Sequence, residues 1–254
     1  MVNLQNSDYS IPARVLVPLL KDLTFAEPAV QTAADRLLRW DHVLDKDSVE
    51  AGIYEMFQRR LIANVRETVV PAAAKDLIGP GGINIPMTRT IALVTAPDGR
   101  FGTDPLAGRD ALLQKSLSEG VAELKQRFGA DMAKWKLGAF HYALLSHPMS
   151  GALSEELEKK YSVGPAPRGG DSYTISATFG GDRQVAGGSF KLVIDTENWD
   201  NSVGLMTPGQ SGNPEDLHYR DLFKLWAEGR YFPVLYSRSK IESAKDRVFN
   251  LSPK

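Results

Sequence analysis

Apolar side chains recur every three or four residues through the first half of this chain, which is the spacing of one face of an α-helix. The pattern predicts a helix through Leu16 and Leu20, a second after Pro28, and a third that begins near Asp47 or Ser48. Either of these two residues can cap the third helix, because its side-chain oxygen accepts a hydrogen bond from the first free amides. The predicted buried stripe of that helix is Ala51, Tyr54, Phe57, Leu61 and Val65.

A further helix is predicted beyond two proline- and glycine-rich segments. The segments 80–82 and 97–108 read as loops, and the helix runs from about Asp110 to Phe128. Gly129 then follows as a C-cap, since glycine adopts the backbone conformation needed there without steric cost. The predicted buried face of this helix is Leu112, Leu113, Leu117, Val121 and Leu124.

The period of the pattern changes to two after Gly164. Alternating residues predict strands over 172–179 and 189–195, joined as an antiparallel pair through glycine-rich turns, and one more strand over 202–206. Two short helices are predicted near residues 218–228 and 240–248. Helices first and strands later indicate an α+β class, with a mainly helical region over 1–165 and antiparallel strands plus C-terminal helices over 166–254.

Composition narrows the possible partners. The 254 residues are 43% hydrophobic, which suits a globular protein with a core, and the formal net charge is −1. We expect no nucleic-acid and no membrane partner, because a basic surface is the usual mark of both. There is no Cys, which excludes disulfides and thiolate metal sites. The first residues lack a signal-peptide pattern, and no apolar stretch approaches the length of a membrane span.

Several polar groups resemble sites but fit them poorly. His141 and His147 are six residues apart, whereas a zinc pair on a helix needs a spacing of three or four and a carboxylate. Ser211 lies between glycines, but prolines flank the segment and no histidine stands beside it in the sequence. Asp195 and Asp200 follow an apolar strand, where acids cap turns more often than they form a glycosidase pair. We therefore predict no metal, no cofactor and no self-contained active site.

An ordered series of motifs rich in Gly, Trp and Pro fills the last third of the chain. The series consists of Gly187–Asp195, Trp199–Ser202, Pro208–Pro214, His218–Leu222, Leu225–Gly229 and Tyr231–Tyr236. It resembles the closing segment of the β chain in penicillin acylase-family enzymes. Shorter stretches around Trp40 and Trp135 extend this resemblance, more weakly, over nearly the whole chain.

The resemblance implies a particular chemistry. Enzymes of that family are N-terminal-nucleophile hydrolases, in which self-cleavage exposes a β-chain serine whose own α-amino group acts as the base. Fixed donors, an Asn among them, hold the oxyanion. The resemblance places these groups upstream of Met1, so we expect no catalytic residue in this chain and no activity of the chain alone. Asp195 matches the position of an acid that orients a histidine near the nucleophile in some related acylases.

The resemblance also implies a fold and partners. The closing strands would belong to an αββα sandwich that the missing N-terminal part of the same precursor, meaning the α chain and the start of the β chain, completes. Exposed sheet edges would then favour self-association. The complete enzyme would hydrolyse the amide bond of a small N-acyl substrate in the periplasm or outside the cell. The alternative is a stand-alone, non-enzymatic interaction or ligand-binding protein of the same ancestry.

Overall fold

The computed structural model describes residues 1–75, 84–246 and 248–253, which form two compact units. Unit 1 consists of Met1–Asn6, Ala143–Ala166 and Gln184–Lys254, and unit 2 consists of Ser7–Tyr142 and Pro167–Arg183. The loop predicted at 80–82 lies outside the described residues. The predicted division into a mainly helical region 1–165 and a strand-bearing region 166–254 stays a prediction. The two units group residues by their contacts and not by their secondary structure, so they do not test it.

Helices and short strands both occur along the chain. The helices are α1 (Val2–Gln5), α2 (Ile11–Leu16), α3 (Pro28–Leu37), α4 (Val49–Val69), α5 (Ala72–Lys75), α6 (Met87–Thr95), α7 (Pro105–Phe128), α8 (Glu155–Tyr161), α9 (Asp221–Ala227) and α10 (Arg238–Ala244). The strands are β1 (Tyr142–Leu145), β2 (Val163–Pro167), β3 (Thr178–Phe179), β4 (Arg183–Gln184), β5 (Ala186–Gly187), β6 (Phe190–Val193), β7 (Val203–Met206) and β8 (Phe232–Pro233). This combination of helices with antiparallel sheet confirms the α+β class. Among the described helices, none has the length and apolar character that crossing a bilayer requires.

The core of unit 2 is built on the long helices α4 and α7. Ser48 is the N-cap of α4, and its Oγ accepts a hydrogen bond from the amide of Ala51 at 3.1 Å. Both helices bury the stripes that the spacing predicts, and Gly120 lets α7 approach the backbone of α4 at Met56 and Phe57. The fully buried side chains at this junction include Tyr54, Phe57, Leu61, Leu113 and Leu117.

Unit 1 contains the antiparallel sheet β6–β7–β8. Its register pairs Phe190 with Met206 and Lys191 with Leu205. Leu205 is 1% exposed and belongs to a small core with Phe223 and Trp226 of α9. Because successive side chains of a strand alternate between faces, Phe190 and Met206 lie on the opposite, outer face of the sheet.

Two predicted helices differ from the structure at their ends. The first helical segment changes to a 3₁₀ turn over Val17–Leu20, because Pro18 has no amide hydrogen to continue the α-helical ladder. The helix predicted from Asp110 begins at Pro105 instead, where Asp104 accepts a hydrogen bond from the amide of Ala107 at 3.1 Å. Proline in the first helical turn and aspartate before it form a common start signal.

The strand predicted over 172–179 was wrong in most of its length. Only Thr178–Phe179 is extended, and the preceding residues form turns. The carboxylate of Asp171 accepts a hydrogen bond from the amide of Tyr173 at 2.7 Å, and the hydroxyl of Thr174 accepts from the amide of Asp171. These side chains satisfy the backbone locally and so replace a strand ladder. The predicted pairing of this segment with 189–195 was also wrong, since β6 pairs with β7.

Candidate functional site

Asp195 lies immediately after β6, and its carboxylate closes a turn. Oδ1 accepts hydrogen bonds from the amides of Glu197 and Asn198 at 3.0 and 3.1 Å, and Oδ2 accepts from Nδ2 of Asn201 at 3.3 Å. These donors, the Asn198 amide first, hold the pKa of Asp195 below its usual range. The group is therefore an ionised, partly exposed acceptor whose described partners all belong to the turn.

Asp200 lies on the same turn, but its carboxylate binds a segment that is distant in the sequence. Its Oδ1 accepts hydrogen bonds from the amides of Tyr236 and Ser237, both at 2.8 Å. Hydrogen bonds from Ser237 and Tyr236 lower the pKa of Asp200 as well. Asp195 thus caps its own turn, whereas Asp200 joins this turn to the segment that begins α10.

The Gly209–Gly212 segment bends around the carbonyl of His218. The amides of Gln210 and Ser211 donate to His218 O at 2.8 and 3.0 Å, and Ser211 Oγ accepts from the amide of Asn213. Nδ1 of His218 lies 2.7 Å from Oδ2 of Asp221. The fold therefore brings a histidine–aspartate pair beside Ser211, which sequence reasoning did not find. The three-residue step from His218 to Asp221 in a helical stretch was the available signal.

His141 and His147 each have a hydrogen-bond partner within their own unit. His141 is 3% exposed, with Nδ1 2.9 Å from Arg168 O and Nε2 3.2 Å from Thr178 Oγ1. Burial lowers the pKa of His141, which favours the neutral ring. In unit 1, His147 Nδ1 accepts from the amide of Met149 at 3.2 Å. Within the described parts of the chain, no three His, Asp or Glu side chains are grouped in a way that could hold a metal ion.

Unit 2 holds a buried polar network that the sequence did not reveal. Nε2 of Gln58 donates to Asp171 Oδ2 at 2.9 Å and to Glu55 Oε2 at 3.4 Å, while Tyr54 donates to Gln58 Oε1 at 2.7 Å. Glu55 and Asp171 are 7% and 4% exposed. Burial, and then the charge of Glu55, raise the pKa of Asp171 to about 6. Two acids therefore share one amide donor in the interior of unit 2.

Arginines neutralise the outer side of this network. Nε of Arg59 donates to Glu55 Oε1 at 2.7 Å, and its Nη1 donates to Asp182 Oδ1 at 2.5 Å. Arg127 donates to the second oxygen of Asp182 at 2.6 Å. Burial alone would raise the pKa of Asp182, but the two arginines outweigh it and the pKa is lowered. Both guanidinium groups also lie over the ring of Phe140, so the cluster joins α4 and α7.

The comparison with known families decides what kind of protein carries these groups. A family model described as penicillin amidase matches residues 1–243. The chain belongs to the penicillin amidase family. The polar motifs of its last third, the turn of Asp195 among them, lie within the matched range.

Two relatives of this chain are much longer than it is. An acyl-homoserine lactone acylase, QuiP of Pseudomonas aeruginosa, is 25% identical over 273 residues, which cover 96% of this chain and 31% of that protein. Penicillin acylase 2 proenzyme of Pseudomonas sp. (strain SE83) is 28% identical over 214 residues, covering 81% of this chain and 26% of the proenzyme. The chain therefore spans about a third or less of these relatives.

A solved structure shows the same fold. The thermostable penicillin G acylase from Alcaligenes faecalis superposes with a TM-score of 0.50 at 18% identity. The match covers 98% of this chain and 48% of the acylase chain. The helices and antiparallel strands of both units thus have counterparts in one part of a penicillin acylase.

Proposed function

We propose that this chain is the C-terminal part of an amidohydrolase that cleaves the amide bond of N-acyl compounds. The match of residues 1–243 to the penicillin amidase family carries the proposal. We place the nucleophilic serine and the oxyanion donors in the remainder of the precursor, which accounts for roughly two thirds of the length of the relatives. The chain alone is then inactive, because a hydroxyl nucleophile needs its base and its oxyanion donors in one site.

The polar groups of the two units support this assignment. Asp195 binds amides of its own turn, and Asp200 binds the amides of Tyr236 and Ser237. Both ring nitrogens of His141 face partners within unit 2. The hydroxyl of Ser211 accepts a hydrogen bond from a backbone amide of its own turn. None of these groups is both nucleophile and base within this chain, and chemistry requires a nucleophile, a base and an oxyanion site arranged around one point.

An apolar surface on unit 1 supports a role for the rest of the precursor as its partner. Phe190, on the outer face of the sheet, is 61% exposed, and Ile194, directly after β6, is 57% exposed. Phe232 covers Gly204 on the same face, where a β-carbon would lie 3.2 Å from its ring. Contiguous apolar side chains at a surface usually mark an interaction site. We propose that residues of the same precursor cover this face in the complete protein.

Replacing both Phe190 and Ile194 by lysine is expected to weaken self-association of the isolated chain. The substitution adds charge to a face that water already reaches, so the free energy of unfolding should change by less than about 1 kcal/mol. Sedimentation velocity over a range of concentrations measures the association. Leu217→Lys, at a residue that is 77% exposed outside the sheet, is the control. Equal association of the wild type, the double variant and the control would contradict the prediction.

The names of the relatives indicate which substrates to test first. They include acyl-homoserine lactone acylases and a penicillin acylase. We propose N-acyl homoserine lactones as the first class and penicillins as the second, since both contain an amide bond between an acyl group and an amine. Hydrolysis is followed by liquid chromatography of the released amine.

The deciding experiment is the intact mass of the natural gene product, purified from its own organism. A larger precursor whose mature chain begins with serine, together with N-acyl hydrolysis, would support the proposal. The 254-residue chain and the complete protein are then assayed side by side, and only the complete protein should hydrolyse the substrates. A natural product matching residues 1–254 would overturn the proposal and favour the stand-alone binding protein.

Asp195 is the residue of this chain that we propose as a positioning residue for the active site. In the complete enzyme, Asp195→Asn is expected to lower kcat by about tenfold or more and to shift its pH profile, because acid–base catalysis contributes about 10²–10⁴ to the rate. Asp200→Asn, on the same turn, is the matched control and should leave the pH profile unchanged. If both variants change only thermal stability, Asp195 has a structural role alone.

A further inference from the structure

Unit 2 contains an open cleft between the end of α3 and the start of α4. The cleft has a volume of about 600 Å³, and its lining includes Arg36, Arg39, Trp40, Ser48 and Glu50. Ser48 is the N-cap of the 21-residue helix α4, so the positive end of that helix dipole opens toward the cleft. Two arginines, three acids, an indole and a helix N-terminus therefore surround one volume.

Two buried donors in the lining have no acceptor. Trp40 is 9% exposed, and its Nε1 forms no hydrogen bond with any described residue. The same is true of Nε of Arg36. Buried N–H groups are nearly always hydrogen-bonded in folded proteins, and leaving one unsatisfied costs about 1–3 kcal/mol. Two such donors in one lining indicate that an oxygen acceptor belongs there.

The acids of the lining are already engaged by the chain. Glu50 pairs with Nη2 of Arg36 at 2.6 Å and accepts from Ser48 Oγ at 3.3 Å. Asp41 accepts from the amide of Val43, and Asp45 accepts from the amide of Asp47. Arg39 is exposed and forms no ion pair with the part of the chain that the structure describes. Glu50 is paired with Arg36, whereas Asp41 and Asp45 keep their charge in the lining near Arg39. The buried polar atoms of the lining without a partner among the described residues are Trp40 Nε1 and Arg36 Nε.

We propose that this cleft binds a carboxylate group, carried either by a small organic acid or by the C-terminus of a peptide. Arg39 attracts the carboxylate, and Trp40 Nε1 and Arg36 Nε donate hydrogen bonds to it. Both nitrogens are buried, and the Glu50 carboxylate already neutralises the Arg36 guanidinium through Nη2. Glu50 is thus an internal competitor of the ligand. This site is separate from the amide hydrolysis proposed above and does not depend on it.

Isothermal titration calorimetry of the full chain with sodium hexanoate tests the site, and hexanamide is the uncharged control. Hexanoate should bind saturably, and Arg39→Gln should weaken binding about tenfold, as the loss of one charge-assisted hydrogen bond does. Glu50→Gln should strengthen binding about threefold, because it removes the carboxylate that competes with the ligand for Arg36. Arg89→Gln, at an exposed arginine of unit 2 outside this cleft, should bind as the wild type does.

A second pair of probes distinguishes the source of the carboxylate. An N-acetylated tripeptide with a free carboxyl group is compared with the same peptide as its C-terminal amide. Binding of the peptide acid but not of hexanoate assigns the site to peptide C-termini, and the reverse assigns it to small acids. Trp40→Phe removes the indole donor, and circular dichroism checks that this variant folds. The proposal is overturned if neither carboxylate binds, or if Arg39→Gln binds as tightly as Arg89→Gln.

Discussion

Replacing Asp171 by asparagine is expected to remove a large part of the pH dependence of stability between about pH 4 and pH 7. In the wild type, Asp171 is 4% exposed, and burial together with the charge of Glu55 raises its pKa to about 6. Gln58 offers each of the two carboxylates one hydrogen bond and cannot offset the loss of water around both. Ionising Asp171 in the folded state is therefore costly.

The direction follows from the raised pKa. The folded state holds the Asp171 proton more tightly than the unfolded chain, whose carboxyl has the ordinary pKa of 3.8. The stabilising contribution is fully present below that value and is lost as the pH rises through about 6. A shift of about two pKa units corresponds to about 3 kcal/mol, so the wild type should lose this amount relative to Asp171→Asn across the interval.

Urea denaturation at a series of pH values, followed by tryptophan fluorescence, measures the effect. The difference in the free energy of unfolding between the wild type and Asp171→Asn should move in favour of the variant as the pH rises. Asp22→Asn changes an exposed carboxyl of unit 2 and serves as the control, which should parallel the wild type. A constant difference between the wild type and Asp171→Asn would show that Asp171 titrates near its ordinary pKa.

Gly52→Ala is expected to destabilise the protein by about 3 kcal/mol, the upper range for overpacking a core. A β-carbon at Gly52 would lie 1.9 Å from the carbonyl oxygen of Trp135 and 3.1 Å from the amide of Leu137. Both neighbours are backbone atoms and cannot rotate away. Alanine is the better helix former by about 1 kcal/mol, but that gain does not offset the displacement of a packed segment.

Gly99→Ala is the matched control, because a β-carbon at Gly99 would meet nothing within 4 Å. Its free energy of unfolding should differ from the wild type by less than about 0.5 kcal/mol. Thermal and urea denaturation of the two variants, measured together, give the comparison. If Gly52→Ala proves as stable as Gly99→Ala, then α4 does not pack against the 135–137 segment as closely as described.

Helices with a continuous apolar stripe were predictable from the sequence. The stripe of α4 from Ala51 to Val65 and the N-cap at Ser48 were both confirmed, as was the end of α7 before Gly129. These signals are local, since each depends on residues within two turns of one helix. The break at Pro18 was visible in the sequence too, yet the apolar repeat on both sides concealed it.

Strand pairing was less predictable, because its partners are distant in the sequence. The strand at Phe190–Val193 was correct, but its neighbour is Val203–Met206 and not the 172–179 segment. That earlier segment alternates as a strand does, although Asp171 and Thr174 bind its backbone in turns. Alternation alone does not separate a ladder from a run of Ser and Thr that bonds locally.

The candidate sites were only partly accessible from the sequence. Asp195 could be named through the family resemblance, whereas its turn contacts required the structure. The hydrogen bond between Gln58 and Asp171 joins residues 113 positions apart, so no local sequence pattern predicts it. The three-residue step from Glu55 to Gln58 within an otherwise apolar stretch of α4 was the one hint of a buried polar pair.

The interleaving of the two units imposes an order on synthesis. Unit 2 has all of its residues once Arg183 has been translated. Unit 1 cannot form all of its contacts until Gly229 and Tyr231 have been translated. Asn6 donates to Gly229 O at 2.7 Å, and Gln5 accepts from Tyr231 at 2.7 Å. At about 5–20 residues per second, the first six residues spend roughly 10–45 s without these partners. Residues 1–6 are therefore exposed to chaperones and proteases at a time when unit 2 already has all of its residues.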